Sequence, residues 1–342
     1  MRRLAFVASL LALATPAQAQ PPSKADTPPR KVVVATSIYG PYGDYPGLEK
    51  RIEQLTDLVD RMAAEASRQH PGRGLDLAIL PETVVTPGDG SALERARPLD
   101  GPIADAFGAL ARKHGCYLIV PFDMAETDDA GRPIASNAAV LFDRSGKVAG
   151  VYRKRHPVAV AGTDELERGI TPGRELPVFD CDFGKLGIQI CWDVQFSEDW
   201  DALGKAGAEI VAWPTASPAT VLPAAHAARN RYYVVGGNWR DNATVYDPTG
   251  RPAARVEGRE PAVLVHELDL SFAVLSWAPH LKNGGAFKEK YGDRAGYRYS
   301  EREDNGLFWS NDPNTPIGQM VRELNLEELD AQVARNRRLY AK

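Results

Sequence analysis

Glu82, Lys154 and Cys191 are residue types that can divide acyl-transfer chemistry between them, and they stand at comparable places in the sequence. Glu82 closes Leu77-Ala-Ile-Leu-Pro81, Lys154 follows the apolar run Val148 to Tyr152, and Cys191 follows Leu186 to Ile190. Each preceding run has strand character, and Pro81 halts its ladder by removing a donor. A thiol with an ordinary pKa near ~8.5 is mostly protonated at neutral pH. A neighbouring ammonium lowers that value, and a carboxylate accepts the proton as sulfur attacks. Base, charge stabiliser and nucleophile are therefore all present by type. Singly, each also has a plainer reading: a solvated turn carboxylate, a charged surface run Tyr152-Arg-Lys-Arg-His156, and a buried thiol. Strand ends that converge on one rim of an α/β sheet would make them a single site.

The elements needed for that convergence are legible in order. Strand-like Val32 to Ser37 precedes a helix over Leu48 to Ser67, then a strand Leu75 to Leu80. Ile103 to His114 reads as a helix capped by Gly115, before a strand over Tyr117 to Val120. Asn137 to Phe142 and Val148 to Tyr152 flank the hairpin signal Asp143-Arg-Ser-Gly146. A second round follows: strands at Phe179 to Phe183 and Leu186 to Ile190, a helix over Trp200 to Gly207, and a strand at Ile210 to Trp213. It continues with a helix over Ala224 to Arg231, a strand Tyr232 to Gly236, a hairpin about Asp247-Pro-Thr-Gly250 and a strand Ala262 to Leu268. Two halves, each a βαβ unit followed by hairpins, predict an α/β domain over 31–270 with a sheet-on-sheet core and helices outside. Beyond Ser271 the chain turns rich in Gly, Tyr, Asn and charge, with a helical stretch at Leu324 to Arg338. Residues 271–342 are expected to wrap the domain, cap the pocket or reach a second subunit.

Composition narrows the setting. Basic Arg2-Arg3, the apolar run Leu4 to Ala14 and Ala17-Gln18-Ala19 read as a secretory signal peptide over 1–19, too short to span a bilayer that needs ~20 apolar residues. A secreted or periplasmic product is expected, starting with a flexible segment over 20–30. Loss of Arg2 and Arg3 takes the formal charge from −4 to −6, which speaks against a nucleic-acid surface. No His/Cys/Asp spacing suggests a metal, and no cofactor is expected. Cys116, Cys181 and Cys191 cannot all pair within one chain, and nothing favours a Cys116–Cys181 bridge.

With these residues in place, the sequence resembles the nitrilase superfamily of carbon–nitrogen hydrolases, known for a Glu-Lys-Cys triad. The likeness lies in Leu77-Ala-Ile-Leu-Pro-Glu82, Tyr152-Arg-Lys-Arg-His156, Gly187-Ile-Gln-Ile-Cys-Trp-Asp193 with Phe196, Gly207 to Pro214 and Ala227 to Gly236. It extends from about Val32 to Leu270. The resemblance implies a four-layer αββα sandwich, commonly paired into a homodimer through helices after the cysteine. It implies Glu82 as base, Lys154 as charge stabiliser, Cys191 as nucleophile and the Trp192 backbone N–H as an oxyanion donor. A second glutamate often stands between the lysine and Thr171-Pro-Gly173, and both Glu165 and Glu167 qualify. His156 either orients the pocket or serves the turn before Pro157, and Asp193 holds the turn after the nucleophile. Trp213 and Trp239 each have two readings, acyl-pocket lining or core packing.

Cys191-Trp-Asp193 resembles the amidase and carbamoylase side of the family, so the expected reaction is cleavage of a small amide or carbamoyl C–N bond through a Cys191 thioester. Nitrile hydrolysis and N-acyl transfer by the same triad are the alternatives within the family. A papain-like Cys–His hydrolase lacks its Gly-Ser-Cys-Trp context here. A non-catalytic binding or scaffold protein would leave Cys191 without a task.

Overall fold

In this computed structural model, residues 24–259 and 261–341 are described. The expected signal segment 1–19 lies outside them. The first half contains β1 (Lys31–Ile38), α1 (Leu48–Gln69), β2 (Leu77–Ile79), a one-turn helix α2 (Ala92–Arg95), α3 (Pro102–His114), β3 (Tyr117–Thr127), β4 (Pro133–Phe142) and β5 (Val148–Arg153). The second contains β6 (Val178–Cys181), β7 (Gly184–Ile188), α4 (Ser197–Lys205), β8 (Ile210–Thr215), α5 (Val221–Asn230), β9 (Tyr233–Asn238), β10 (Asp241–Tyr246) and β11 (Pro252–Gly258). After β12 (Ala262–Asp269), which returns to pair antiparallel with β1, comes the extension. It holds β13 (Phe272–Ser276), α6 (Gly285–Tyr291), β14 (Ala295–Ser300), β15 (Asn305–Ser310), α7 (Ile317–Glu323) and α8 (Leu329–Tyr340).

The main sheet runs β5-β4-β3-β2-β1-β9-β8-β7-β6, with β10 and β11 continuing from β9. Its two halves meet through one pair, Ile38 with Asn238, which lets them fold face to face. Successive strand side chains point to opposite faces, so Val33, Ala35, Leu118 and Val120 pack under Leu55, Val59 and Met62 of α1 and Ile103 and Phe107 of α3. The alternate set, Val32, Val34, Ile79 and Leu141, meets Ile188, Ile210 and Val235 of the other half. Val211, Trp213 and Val234 lie beneath Trp200 and Leu203 of α4 and Ala227 of α5. These three apolar layers bind four structural ones: the chain is an αββα sandwich, as expected.

Three differences from the sequence reading have physical causes. β3 does not stop at Val120 but runs to Thr127, paired with β4 throughout. β2 ends opposite Ile119, whose carbonyl accepts from Leu80 N. Pro121, two residues on, turns its nitrogen to that same side beyond the end of β2, so its missing N–H leaves no ladder bond unmade. The helix expected over Leu324 to Arg338 begins only at Leu329, as α8; the separate α7 ends at Glu323, and Asn325, left-handed (φ 54°), lies between them. The extension also builds its own antiparallel sheet, β13-β15-β14, over a core of Leu281, Phe287, Phe308 and Met320.

Ala25 is buried in that core, and Thr27 Oγ1 lies 2.7 Å from Ser271 Oγ. The described part of 20–30 is therefore held down, against the expectation of a flexible lead. Arg298 of β14 reaches back to the main sheet, donating to Ala253 O (2.9 Å) and Asp247 Oδ2 (2.9 Å). Among the described residues no helix is long and apolar enough to cross a membrane, and the three cysteines are unpaired.

Candidate active site

Glu82 lies just beyond β2, Lys154 at the end of β5 and Cys191 just beyond β7. They do not share one rim. Two come from the first half and one from the second, and they converge because the two sheets face each other with these ends together. Lys154 and Glu82 are almost fully buried, at 1% and 5% exposure, so each charge needs partners.

The partners form a closed set. Lys154 Nζ donates to Glu82 Oε1 (2.9 Å) and to Glu167 Oε1 (2.5 Å). Asn137 of β4 donates through Nδ2 to Glu82 Oε1 (2.9 Å) and Glu167 Oε2 (3.3 Å). Glu82 Oε2 accepts from Ala216 N at 3.0 Å, just past β8, and Glu167 Oε1 accepts from Val158 N at 2.9 Å. Burial would push the Lys154 ammonium toward neutrality, but the charge of Glu82, then the charge and hydrogen bond of Glu167, outweigh it and raise its pKa. Glu167 is thus the glutamate that faces the lysine. Glu165 is exposed, and its backbone N–H bonds to Thr163 Oγ1 (3.1 Å) on the loop surface.

Cys191 begins a short 3₁₀ turn, Cys191–Gln195, with its own backbone left-handed (φ 44°). The turn is pinned by Asp193, which is fully buried. Its carboxylate accepts from Ile190 N (2.8 Å), Tyr152 Oη (2.7 Å) and His156 N (3.0 Å), and its Oδ1 lies 3.0 Å from His156 Nδ1. Asp193 therefore ties the cysteine turn to the lysine segment. His156 belongs to this brace, its ring stacked on Phe196 with centroids 3.6 Å apart. Trp213, a core residue, donates Nε1–H to Cys191 O (3.0 Å). Trp192 is the second residue of the turn, where helical N–H groups have no internal partner, and its side chain is 42% exposed.

The thiol is held protonated at rest. Burial, then the charge of Glu82, pushes its pKa up to about 12, against the pull of Lys154 and hydrogen bonds from Thr215 and the Ala216 backbone. A proton so held must be removed as sulfur attacks, and the Glu82 carboxylate shares the Ala216 contact with the thiol. Left-handed backbone is concentrated here: of ten such non-glycine residues described, Thr83, Glu167, Arg168 and Cys191 belong to the loops of this cluster. Strain of that kind persists only where surroundings enforce it.

A cavity of about 320 Å³ opens beside the cluster, walled by Glu82, Asn137, Glu167, Val158 and Trp239 among others. Trp239 also donates Nε1–H to Glu82 O at 2.7 Å, and Tyr42 meets its ring edge-on with centroids 6.4 Å apart. No described residue of the 271–342 extension contributes to the wall, so the described extension does not cap this cavity. Asn137, Thr215 and Ala216 escaped the sequence reading, because a strand amide, a strand-end threonine and the alanine after it carry no local pattern. Among the described residues no three His, Cys, Asp or Glu side chains group as a metal site.

A thiol facing a carboxylate and an ammonium across two sheets defines a cysteine hydrolase of the αββα class. More specifically, the chain belongs to the carbon–nitrogen hydrolase family, whose model matches residues 44–275. It is an enzyme that acts through cysteine on small amide or nitrile C–N bonds. Among its relatives is the deaminated glutathione amidase of Homo sapiens, 30% identical over 251 residues, covering 64% of this chain and 76% of that one. The omega-amidase NIT2 of Danio rerio is 26% identical over 230 residues, covering 60% and 80%. Nit3 of Saccharomyces cerevisiae, a member of branch 10 of the nitrilase superfamily, shares the fold with a TM-score of 0.57 at 22% identity, over 70% of this chain and 90% of that one.

Proposed function

We propose that the enzyme hydrolyses a small amide or carbamoyl compound, with Glu82, Lys154 and Cys191 as its catalytic residues. The observation that carries this reading is the shared contact: Glu82 Oε1 takes the Lys154 ammonium, while Oε2 reaches the Ala216 N–H beside the Cys191 thiol. Glu82 removes the thiol proton as sulfur bonds to the carbonyl carbon. Charge growing on the carbonyl oxygen is met by Lys154 and the Trp192 N–H, donors of a kind worth ~2.7–4 kcal/mol each. Glu82 returns the proton to the departing nitrogen as the C–N bond breaks, leaving a thioester. It then takes a proton from water, whose oxygen attacks the thioester, and the thiol is regenerated with release of the acid.

Amide rather than nitrile substrates are supported by Cys191-Trp-Asp193 and by two relatives that bear the name amidase. Val158, Val160 and Trp239 supply an apolar side to the cavity, suited to a small acyl group. The basic start, apolar run and Ala17-Gln18-Ala19 of residues 1–19 support export, so the substrate is met outside the cytoplasm. Association into a homodimer is part of the same reading. The test is ammonia release from a panel of primary amides, carbamoyl compounds and nitriles, with Cys191→Ala as control. Amide or carbamoyl turnover that the control lacks supports the proposal. Turnover of nitriles alone, or amide turnover that survives in Cys191→Ala, overturns it.

A further inference from the structure

Beside Glu167, and lining the same cavity, lies an almost fully buried ion pair to which the proposed mechanism gives no task. Arg95 and Asp123 are 7% and 2% exposed, with Arg95 Nε donating to Asp123 Oδ2 at 2.7 Å. Arg95 also donates through Nη1 to Gly90 O (2.9 Å) and through Nη2 to Glu167 O (3.4 Å). It sits at the end of α2, whose single turn is fixed by a capping box: Ser91 N donates to Glu94 Oε2 (2.7 Å) and Glu94 N to Ser91 Oγ (3.4 Å). Ala92 N of the same turn donates to Arg168 O at 2.8 Å. The two residues held by this turn through their carbonyls, Glu167 and Arg168, are consecutive and both left-handed (φ 42° and 61°). Non-glycine residues resist that conformation, and it brings the Glu167 carboxylate onto Lys154 and Val158 N.

Asp123 extends the arrangement into the sheet. It stands directly opposite Asn137 in the β3–β4 register, the residue whose amide bridges Glu82 and Glu167. Its backbone N–H bonds to Thr86 Oγ1 (3.3 Å) in the loop after Glu82, and its carbonyl accepts from Arg97 N (2.9 Å). One guanidinium and its carboxylate thus link the loop after Glu82, the α2 turn, β3 and the Glu167 loop. Only a planar fork with several donors can reach Asp123, Gly90 and Glu167 at once, which a single ammonium cannot do.

A buried pair is weak evidence for a stabilising role, since an apolar replacement of similar volume is often neutral or better. We propose that Arg95 and Asp123 are positioning residues that hold Glu167 in its strained backbone conformation and, through it, set the Lys154 ammonium in its catalytic pose. The proposal rests on the thioester reading above, in which Lys154 is the charge stabiliser.

The test uses the full-length enzyme, its best substrate from the panel, and the variants Arg95→Lys, Arg95→Met/Asp123→Leu and Cys191→Ala. A misplaced stabiliser costs about 10- to 100-fold in rate, so the double variant is expected to lose that much in kcat with KM changed less than about threefold. Its melting temperature is expected within about 3 °C of the parent, because the pair is replaced and not broken. Arg95→Lys keeps the charge but loses the fork, and should recover only part of kcat. The proposal is overturned if the double variant keeps kcat within about twofold, or loses it only in proportion to the folded fraction. If Cys191→Ala is inactive in that case, the positioning role alone falls. If Cys191→Ala keeps turnover, the thioester reading falls and takes the positioning role with it.

Discussion

The two halves of the sandwich follow one plan and carry unequal chemistry. Each ends in a hairpin whose turn begins with aspartate and closes with glycine. Asp143 Oδ1 accepts from Ser145 N (2.8 Å) and Asp247 Oδ1 from Thr249 N (2.7 Å), while Gly146 and Gly250 adopt φ 82° and 83°. In each half a helix presses on the turn, α3 through Gly108 and α5 through Ala224 and Ala228. Yet the first half brings Glu82 and Lys154 to its strand ends beside Asn137 inside β4, and the second brings Cys191, Thr215 and Ala216. The repeated plan explains why the strand ends meet. The difference between the halves explains why a protonated thiol finds its base and its cation in the opposite sheet.

If the halves act as one unit, removing the thiol or its base should not add. Cys191→Ala is expected to lower turnover by about 10⁴-fold or more, and Glu82→Gln/Cys191→Ala should be no slower than Cys191→Ala alone. Steady-state rates of Glu82→Gln, Cys191→Ala and the double variant check this, and additive losses would separate the halves. Lys154→Met, which leaves Glu82 and Glu167 facing each other without their cation, should cost about 3–5 kcal/mol of stability. The corresponding change in the second half, Thr215→Val, removes a neutral hydroxyl that bonds to Ser217 N (2.8 Å), Ser217 O (3.4 Å) and the Cys191 thiol, and should cost less, about 1–3 kcal/mol. Urea denaturation of the pair measures that contrast.

The thiol supplies a pH test. Its pKa is raised to about 12, chiefly by burial and then by Glu82, while in the unfolded chain it titrates near ~8.5. Between those values the unfolded state gives up a proton that the fold retains. Stability from this group is therefore complete below about pH 8.5 and declines as pH rises toward 12. Iodoacetamide labelling of the native enzyme should keep rising through pH 10 without the plateau that the unfolded chain shows above about 8.5. Glu82→Gln removes the opposing charge and should speed labelling at pH 8. A last contrast, in stability and not in turnover, concerns the shared plan itself. Gly146→Ala and Gly250→Ala, each left-handed and close to a helix, should cost at least about 1–2 kcal/mol, with turnover per folded molecule unchanged.

How much of this could be read in the chain differs by residue. Glu82, Lys154 and Cys191 each end an apolar run, so their positions at strand ends follow from pattern alone. Glu167 could not be told from Glu165, because a backbone turn at φ 42° decides which carboxylate faces inward, and Asp164-Glu-Leu-Glu167 contains no glycine to announce it. Asn137 is one polar residue within a buried strand, made functional only by what lies opposite. Arg95 did have a signal, since Ser91-Ala-Leu-Glu94 has the capping-box form, but a single helical turn shows no periodicity. In the extension, β14 is only partly buried along most of its length, so its aromatic residues follow no clean alternation.

The central claim is that sulfur of one half forms a thioester that the carboxylate of the other half later resolves. Intact-mass measurement of Glu82→Gln during incubation with the best amide or carbamoyl substrate tests it most directly. An added mass equal to the acyl group, mapped by peptide digestion to Cys191 and absent from Glu82→Gln/Cys191→Ala, is the predicted result. An adduct on another residue, or turnover of that substrate by the double variant, would contradict it.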